Sequence, residues 1–145
     1  MIAVDTNILV YAHRRDAEFH AAAAHYVRGL AEGRSAWAIP WPCVHEFFAI
    51  TTHPKIYDPP STTSQAIAQI DVWLSSPTLV LLGEPAGYWD QFKTTLVAGK
   101  VTGLLVHDAR IAALCAAHGV RELWSADRDF GRFGSTVAVR NPVVE

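Results

Sequence analysis

The sequence has only two cysteines, and its histidines and cysteines show no spacing that resembles a zinc site. Cys43 and Cys115 both fall in apolar helical patterns, where a cysteine behaves as a small buried hydrophobe. Long hydrophobic runs are missing too. Short ones, such as 79–82 and 104–106, fall far below the roughly 20 apolar residues that a membrane-spanning helix needs. The N-terminus lacks a basic segment and meets Asp5 at once, so no signal peptide and a cytoplasmic location are expected. No G-x-G-x-x-G follows the first apolar run, which argues against a dinucleotide-binding module. There are no internal repeats, low-complexity tracts or long linkers. With 50% apolar and 18% charged residues, the chain is globular in composition, and its 145 residues suit a single domain over 1–145.

A strong charge of either sign is also absent. The formal net charge is −2, but with Asp5, Glu46, Asp108, Asp127 and Asp129 set aside as a metal-neutralised cluster the remainder is +3. Charge therefore neither demands nor excludes an RNA partner.

What is present is an alternation of short apolar runs and helical patterns. Strands are expected at 2–4, 36–39, 78–82, 122–124 and 137–139. Helices are expected at 7–13, from an N-cap at Asp16 to a stop at Gly33, from Pro42 to about 52, from a cap at Ser61 or Thr62 to 73, at 85–98 and at 108–118. Strands alternating with helices predict a parallel sheet covered on both faces, with ligands bound beyond the carboxyl ends of its strands.

Four acidic residues stand out against that frame. Asp5 ends the run I-A-V-D-T-N, Glu46 lies in C-V-H-E-F-F-A-I, Asp108 follows G-L-L-V-H, and Asp127 follows E-L-W-S-A. An isolated ionised carboxylate in buried surroundings costs several kcal/mol, roughly. Taken singly, Asp5 and Asp108 could be helix caps, and Asp127 and Asp129 a polar turn. Glu46 has little polar helix face around it. Taken together, the four make sense as a shared cation site. Hard divalent cations such as Mg²⁺ take oxygen ligands, and a His-poor, acid-rich set suits phosphodiester hydrolysis better than zinc-dependent peptide hydrolysis.

These segments, read in order as I-A-V-D-T-N-I-L-V-Y-A, H-E-F, L-L-V-H-D-A-R-I-A-A-L, L-W-S-A-D-R-D-F and the closing V-A-V-R-N-P, resemble the PIN-domain family, and within it the VapC-type toxins. The resemblance implies a three-layer α/β/α sandwich with a central, mostly parallel five-stranded sheet. It implies an endoribonuclease dependent on Mg²⁺ or Mn²⁺, acting as the toxin of a toxin–antitoxin pair. A small antitoxin, an RNA substrate and a homodimer would be its partners, with no membrane. By motif, Asp5, Glu46, Asp108 and Asp127 would be the catalytic acids, with Asp5 and Asp108 as direct metal ligands. Thr6, Asn7, Ser125 and Asp129 would support them.

Around the acids, Arg110 and Arg128 are candidate contacts for RNA phosphates, and Arg14, Arg15 and Arg132 are weaker ones. Trp37 and Trp124 are expected in the core. Trp41 is expected to be partly exposed, and Trp73 and Trp89 to be core or interface. A haloacid-dehalogenase-type phosphatase also starts with a strand ending in Asp, but it needs a second Asp two residues on, where this chain has Asn7. The remaining alternative is a non-catalytic PIN-like module that binds RNA or protein.

Overall fold

The structure, a computed structural model, describes residues 1–145. Five strands, β1 (Ile2–Val4), β2 (Trp37–Pro40), β3 (Leu79–Leu82), β4 (Glu122–Trp124) and β5 (Ala138–Arg140), form one sheet in the order β3-β2-β1-β4-β5. Every pairing is parallel, so the expected mostly parallel sheet is wholly so. The register sets Ile2 opposite Trp37 on one side and opposite Glu122 on the other. Six helices cover it: α1 (Thr6–His13), α2 (His20–Glu32), α3 (Trp41–Thr51), α4 (Thr63–Leu74), α5 (Tyr88–Ala98) and α6 (Val106–Ala117). The chain steps outward from β1 to β2 to β3, then returns to β4 beside β1. With right-handed crossovers, that reversal sends α5 and α6 over the face opposite α1–α4 and closes a three-layer α/β/α sandwich.

The core explains the strand sequences. Ala3, Val4, Trp37, Ala38, Ile39, Leu82 and Leu123 are all buried, as expected of strands covered on both faces. Ala109, Ile111, Ala112 and Leu114 of α6 complete that core together with Cys115, and both cysteines are free and buried. Trp37, Trp73 and Trp124 are core residues, whereas Trp41 and Trp89 are exposed.

Local chemistry sets most boundaries. Thr62 rather than Ser61 caps α4, in a full capping box with Gln65. Gly33 ends α2, and Gly119, at φ +68°, follows α6 in the left-handed conformation. Two helix starts differ from expectation by three residues. Asp16 does not cap α2, which starts at His20 behind Phe19 with no side-chain cap. The Asp16 carboxylate is instead taken by Arg14, whose Nη2 donates to Oδ2 at 2.6 Å. The α5 helix starts at Tyr88 and not at residue 85, because Gly87 sits at φ +79° and breaks the helical path.

Candidate metal centre

Strand order reverses between β1 and β4, and the carboxyl ends of those two strands carry the site. Asp5 directly follows β1, and its N–H donates to the Trp124 carbonyl at 2.9 Å, tying it to the end of β4. The side chain is 3% exposed. Its Oδ1 accepts the N–H of Thr6 at 2.8 Å, so Asp5 is also the N-cap of α1. Its Oδ2 accepts the Ser125 hydroxyl at 2.7 Å. Burial raises the Asp5 carboxyl from 3.8 to about 6; the Ser125 and Thr6 hydrogen bonds oppose the rise, and the charges of Glu46 and Asp108 add to it. Asp5 is therefore both the cap the sequence allowed and a member of the acidic group.

Glu46, half-buried on the second turn of α3, accepts the Thr6 hydroxyl on Oε2 at 2.8 Å. Asp108 enters from the first turn of α6. Burial raises its carboxyl to about 6 as well, and Asp127, Glu46 and Asp129 add their charges, with His107 opposing. Asp127 caps the 3₁₀ turn Arg128–Phe133 by accepting the Asp129 N–H on Oδ1 at 2.9 Å. Its own N–H donates to Ser125 Oγ at 3.0 Å. The four acids thus come near enough to feel one another's charge, from the end of β1, α3, α6 and the loop after β4.

Small polar residues tie three of the acids together. Thr6 joins Asp5 to Glu46, and Ser125 joins Asp5 to Asp127. Asn7 clamps the loop after β4 by accepting the Ala126 N–H at 3.0 Å. A further neighbour was not singled out from the sequence: the Cys43 thiol lies 3.7 Å from Asp5 Oδ1. Cys43 and Glu46 are three apart on α3 and so share a helix face, which is the sequence signal that would have found it.

Divalent-metal chemistry fits this arrangement. The donors are hard oxygens, and burial raises the carboxyl groups of two of them, Asp5 and Asp108, to about 6. No three His, Cys, Asp or Glu side chains close on a single point, so this is not a full protein cage. Mg²⁺ does not need one: it keeps several waters and is held by one or two carboxylates.

Most of the arginines have partners outside the acidic group. Arg110 faces Glu84, Nε to Oε1 at 3.7 Å. Arg128 is exposed beside Asp127, and Arg132 donates to the Gly99 carbonyl at 3.3 Å. Arg14 and Arg15 line a groove of 1170 Å³ between the end of α1, α2 and α4, and none of the four acids lines it. His13 is held there by Ser61 and Gln69, and burial lowers its pKa.

Comparison with known proteins agrees with the fold. The family profile described as PIN domain matches residues 2–135. The chain is 31% identical over 138 residues to Ribonuclease VapC48 of Mycobacterium tuberculosis, covering 95% of this chain and 94% of that one. Among solved structures it is similar to VapC20 of Mycobacterium tuberculosis, a Sarcin-Ricin loop cleaving toxin (TM-score 0.68, 19% identity, 92% and 95% of the two chains). It is also similar to VapBC2 from Rickettsia felis, solved bound to a DNA fragment from their promoter (TM-score 0.65, 22% identity, 97% and 98%).

Proposed function

This chain belongs to the PIN domain family, and from that premise we propose that it is an endoribonuclease acting as the toxin of a toxin–antitoxin pair. The observation that carries the reading is the pair of raised acids, Asp5 and Asp108, on the carboxyl edge of the sheet at its topological switch point. The name of the relative VapC48, a ribonuclease, supports the activity. Residues 1–145 form a single PIN domain in this reading, working in the cytoplasm as a homodimer; no helix is long and apolar enough to cross a membrane.

Mg²⁺ or Mn²⁺, when bound, supplies Lewis-acid chemistry: it makes water a better nucleophile and offsets charge growing on the phosphate. Asp5 and Asp108 would hold it. Thr6 occupies Glu46 Oε2, which leaves Oε1 to orient the attacking water and take its proton. Asp129 N–H likewise occupies Asp127 Oδ1 and leaves Oδ2 to hold that water from the other side. The water attacks phosphorus in line, the P–O3′ bond breaks, and the departing 3′ oxygen takes a proton from solvent, to which Glu46 returns the one it accepted. Ser125 and Thr6 keep the carboxylates aimed, and Arg128 is the cation closest in sequence to the site for a substrate phosphate. The products are a 5′-phosphate and a 3′-hydroxyl. A 2′,3′-cyclic phosphate would show that the RNA's own 2′-OH attacks and that this mechanism is wrong.

The test is incubation of antitoxin-free protein with total cellular RNA, with and without Mg²⁺ or Mn²⁺, beside Asp5→Asn. Discrete fragments from wild type with metal only are expected. Folded protein whose melting temperature ignores both ions and which cleaves nothing would leave the non-catalytic module as the better reading.

A further inference from the structure

Asp5 is held by three donors, and one of them plays no part in the hydrolysis. Oδ1 accepts twice, from the Thr6 N–H at 2.8 Å and from the Cys43 thiol at 3.7 Å. Oδ2 accepts once, from the Ser125 hydroxyl at 2.7 Å. A carboxylate oxygen has two lone pairs. Both of those on Oδ1 are therefore engaged, and Oδ2 keeps one free. The Thr6 N–H is committed to the start of α1, where Asp5 is the N-cap. The group that closes Oδ1 beyond that cap is Cys43.

The position of Cys43 is fixed by the way α3 docks. Cys43, Phe47 and Thr51 stand at every fourth position of α3, and each is 0% exposed. That buried stripe presses the first turn of the helix against the end of β1 and leaves the thiol facing Asp5. Cys43 is in no disulfide, so its sulfur is free to serve as a donor.

We propose that Cys43 sets the ion preference of this site: by filling Oδ1 it makes Asp5 a one-oxygen ligand, which favours Mg²⁺ and Mn²⁺ over Ca²⁺. This rests on the reading of Asp5 as a metal ligand. Mg²⁺ is small, demands near-octahedral geometry and keeps several of its waters, so one oxygen from a carboxylate suffices. Ca²⁺ is larger, gathers about six to eight oxygens and readily takes both from a single carboxylate. Asp5, 3% exposed and with Oδ1 engaged, offers it only one. Cys43 is a positioning residue in this role and not a ligand, since its soft sulfur is a poor match for oxygen-seeking ions.

The measurement is calorimetric titration of the antitoxin-free protein, without RNA, by Mg²⁺, Mn²⁺, Ca²⁺ and Zn²⁺ in turn. Wild type should bind Mg²⁺ and Mn²⁺ more tightly than Ca²⁺. Cys43→Ala opens Oδ1, and the ratio of the Ca²⁺ Kd to the Mg²⁺ Kd should fall by about 10-fold. Cys43→Val fills the space without offering a donor and should lower the ratio in the same way, which separates loss of the donor from loss of packing. Cys43→Ser keeps a donor and should hold the ratio within about threefold of wild type. Circular dichroism checks that each variant is folded. An unchanged ratio in Cys43→Ala and Cys43→Val, in proteins that still bind Mg²⁺, would overturn the inference and leave the metal reading standing. So would a Zn²⁺ Kd raised about 100-fold in Cys43→Ser, because the sulfur would then be a ligand itself. Wild type that binds neither Mg²⁺ nor Mn²⁺ would bring down the metal reading and this inference together.

Discussion

Asp5 serves two needs that conflict. As the N-cap of α1 it accepts hydrogen bonds that favour the carboxylate, yet its burial and its acidic neighbours favour the protonated form, and the second influence wins. Because its folded-state pKa of about 6 lies above the ordinary 3.8, its contribution to stability is complete below about pH 4 and is lost as pH rises through about 6. Asp108 acts in the same direction over the same window. In a chelator, the protein should therefore melt at a lower temperature at pH 8 than at pH 5, and a denaturation series across that range checks it. Asp5→Asn should stabilise the metal-free protein at pH 8, by up to about 3 kcal/mol, and abolish cleavage. Ser125→Ala removes the hydroxyl that lowers the Asp5 pKa, so the acid limb of the pH–rate profile should move to higher pH. Thr6→Val frees Glu46 from its one hydrogen-bond donor and should lower kcat by about 10- to 100-fold with the fold intact.

At the scale of elements, helix ends report which local signals the chain uses. Thr62 and Gln65 satisfy each other's backbone N–H groups, so Thr62→Ala should cost about 1 kcal/mol, read as a lower denaturant midpoint at unchanged slope. Asp16→Ala should change stability by less than about 0.5 kcal/mol, because its carboxylate is exposed, bonded to Arg14 and caps nothing. The two residues look alike as helix-start signals in the sequence. They differ because Arg14, also bonded to the Pro59 carbonyl and lying over the Tyr57 ring, draws Asp16 toward the loop after α3. Cys43 shows a similar limit. Its burial was legible from the apolar pattern of α3, but its contact with Asp5 needed the helix to be docked on the sheet.

For the whole molecule, the consequence is coupling between the ion and the fold. The acids arrive from four separate places in the chain, and only the native state brings them together. Mg²⁺ or Mn²⁺ should therefore raise the melting temperature of wild type in a concentration-dependent way, with a stabilisation of about 2.7 kcal/mol at one hundred times Kd, and do so much less in Asp5→Asn. Self-association belongs to this scale as well. Trp89, Val97 and Leu104 leave apolar surface exposed on α5 and just beyond it, 60%, 75% and 84% exposed respectively. If the homodimer uses that surface, Val97→Glu should shift sedimentation toward the monomer and leave the helix content unchanged.

The sequence by itself determined the alternation of strands and helices, the parallel sheet, the buried cysteines and the four acids at the ends of apolar segments. Those follow from side-chain periodicity, capping residues and burial, which act over a few neighbouring positions. Only the tertiary structure decided what each acid touches. Thr6 reaches Glu46 across 40 residues, Asn7 reaches Ala126 across 119, and Ser125 reaches Asp5 across 120. It also took Asp16 away from α2. The physical reason is register. Which strand ends lie side by side depends on how the whole sheet pairs and how each helix docks on it, and a local pattern carries no record of either.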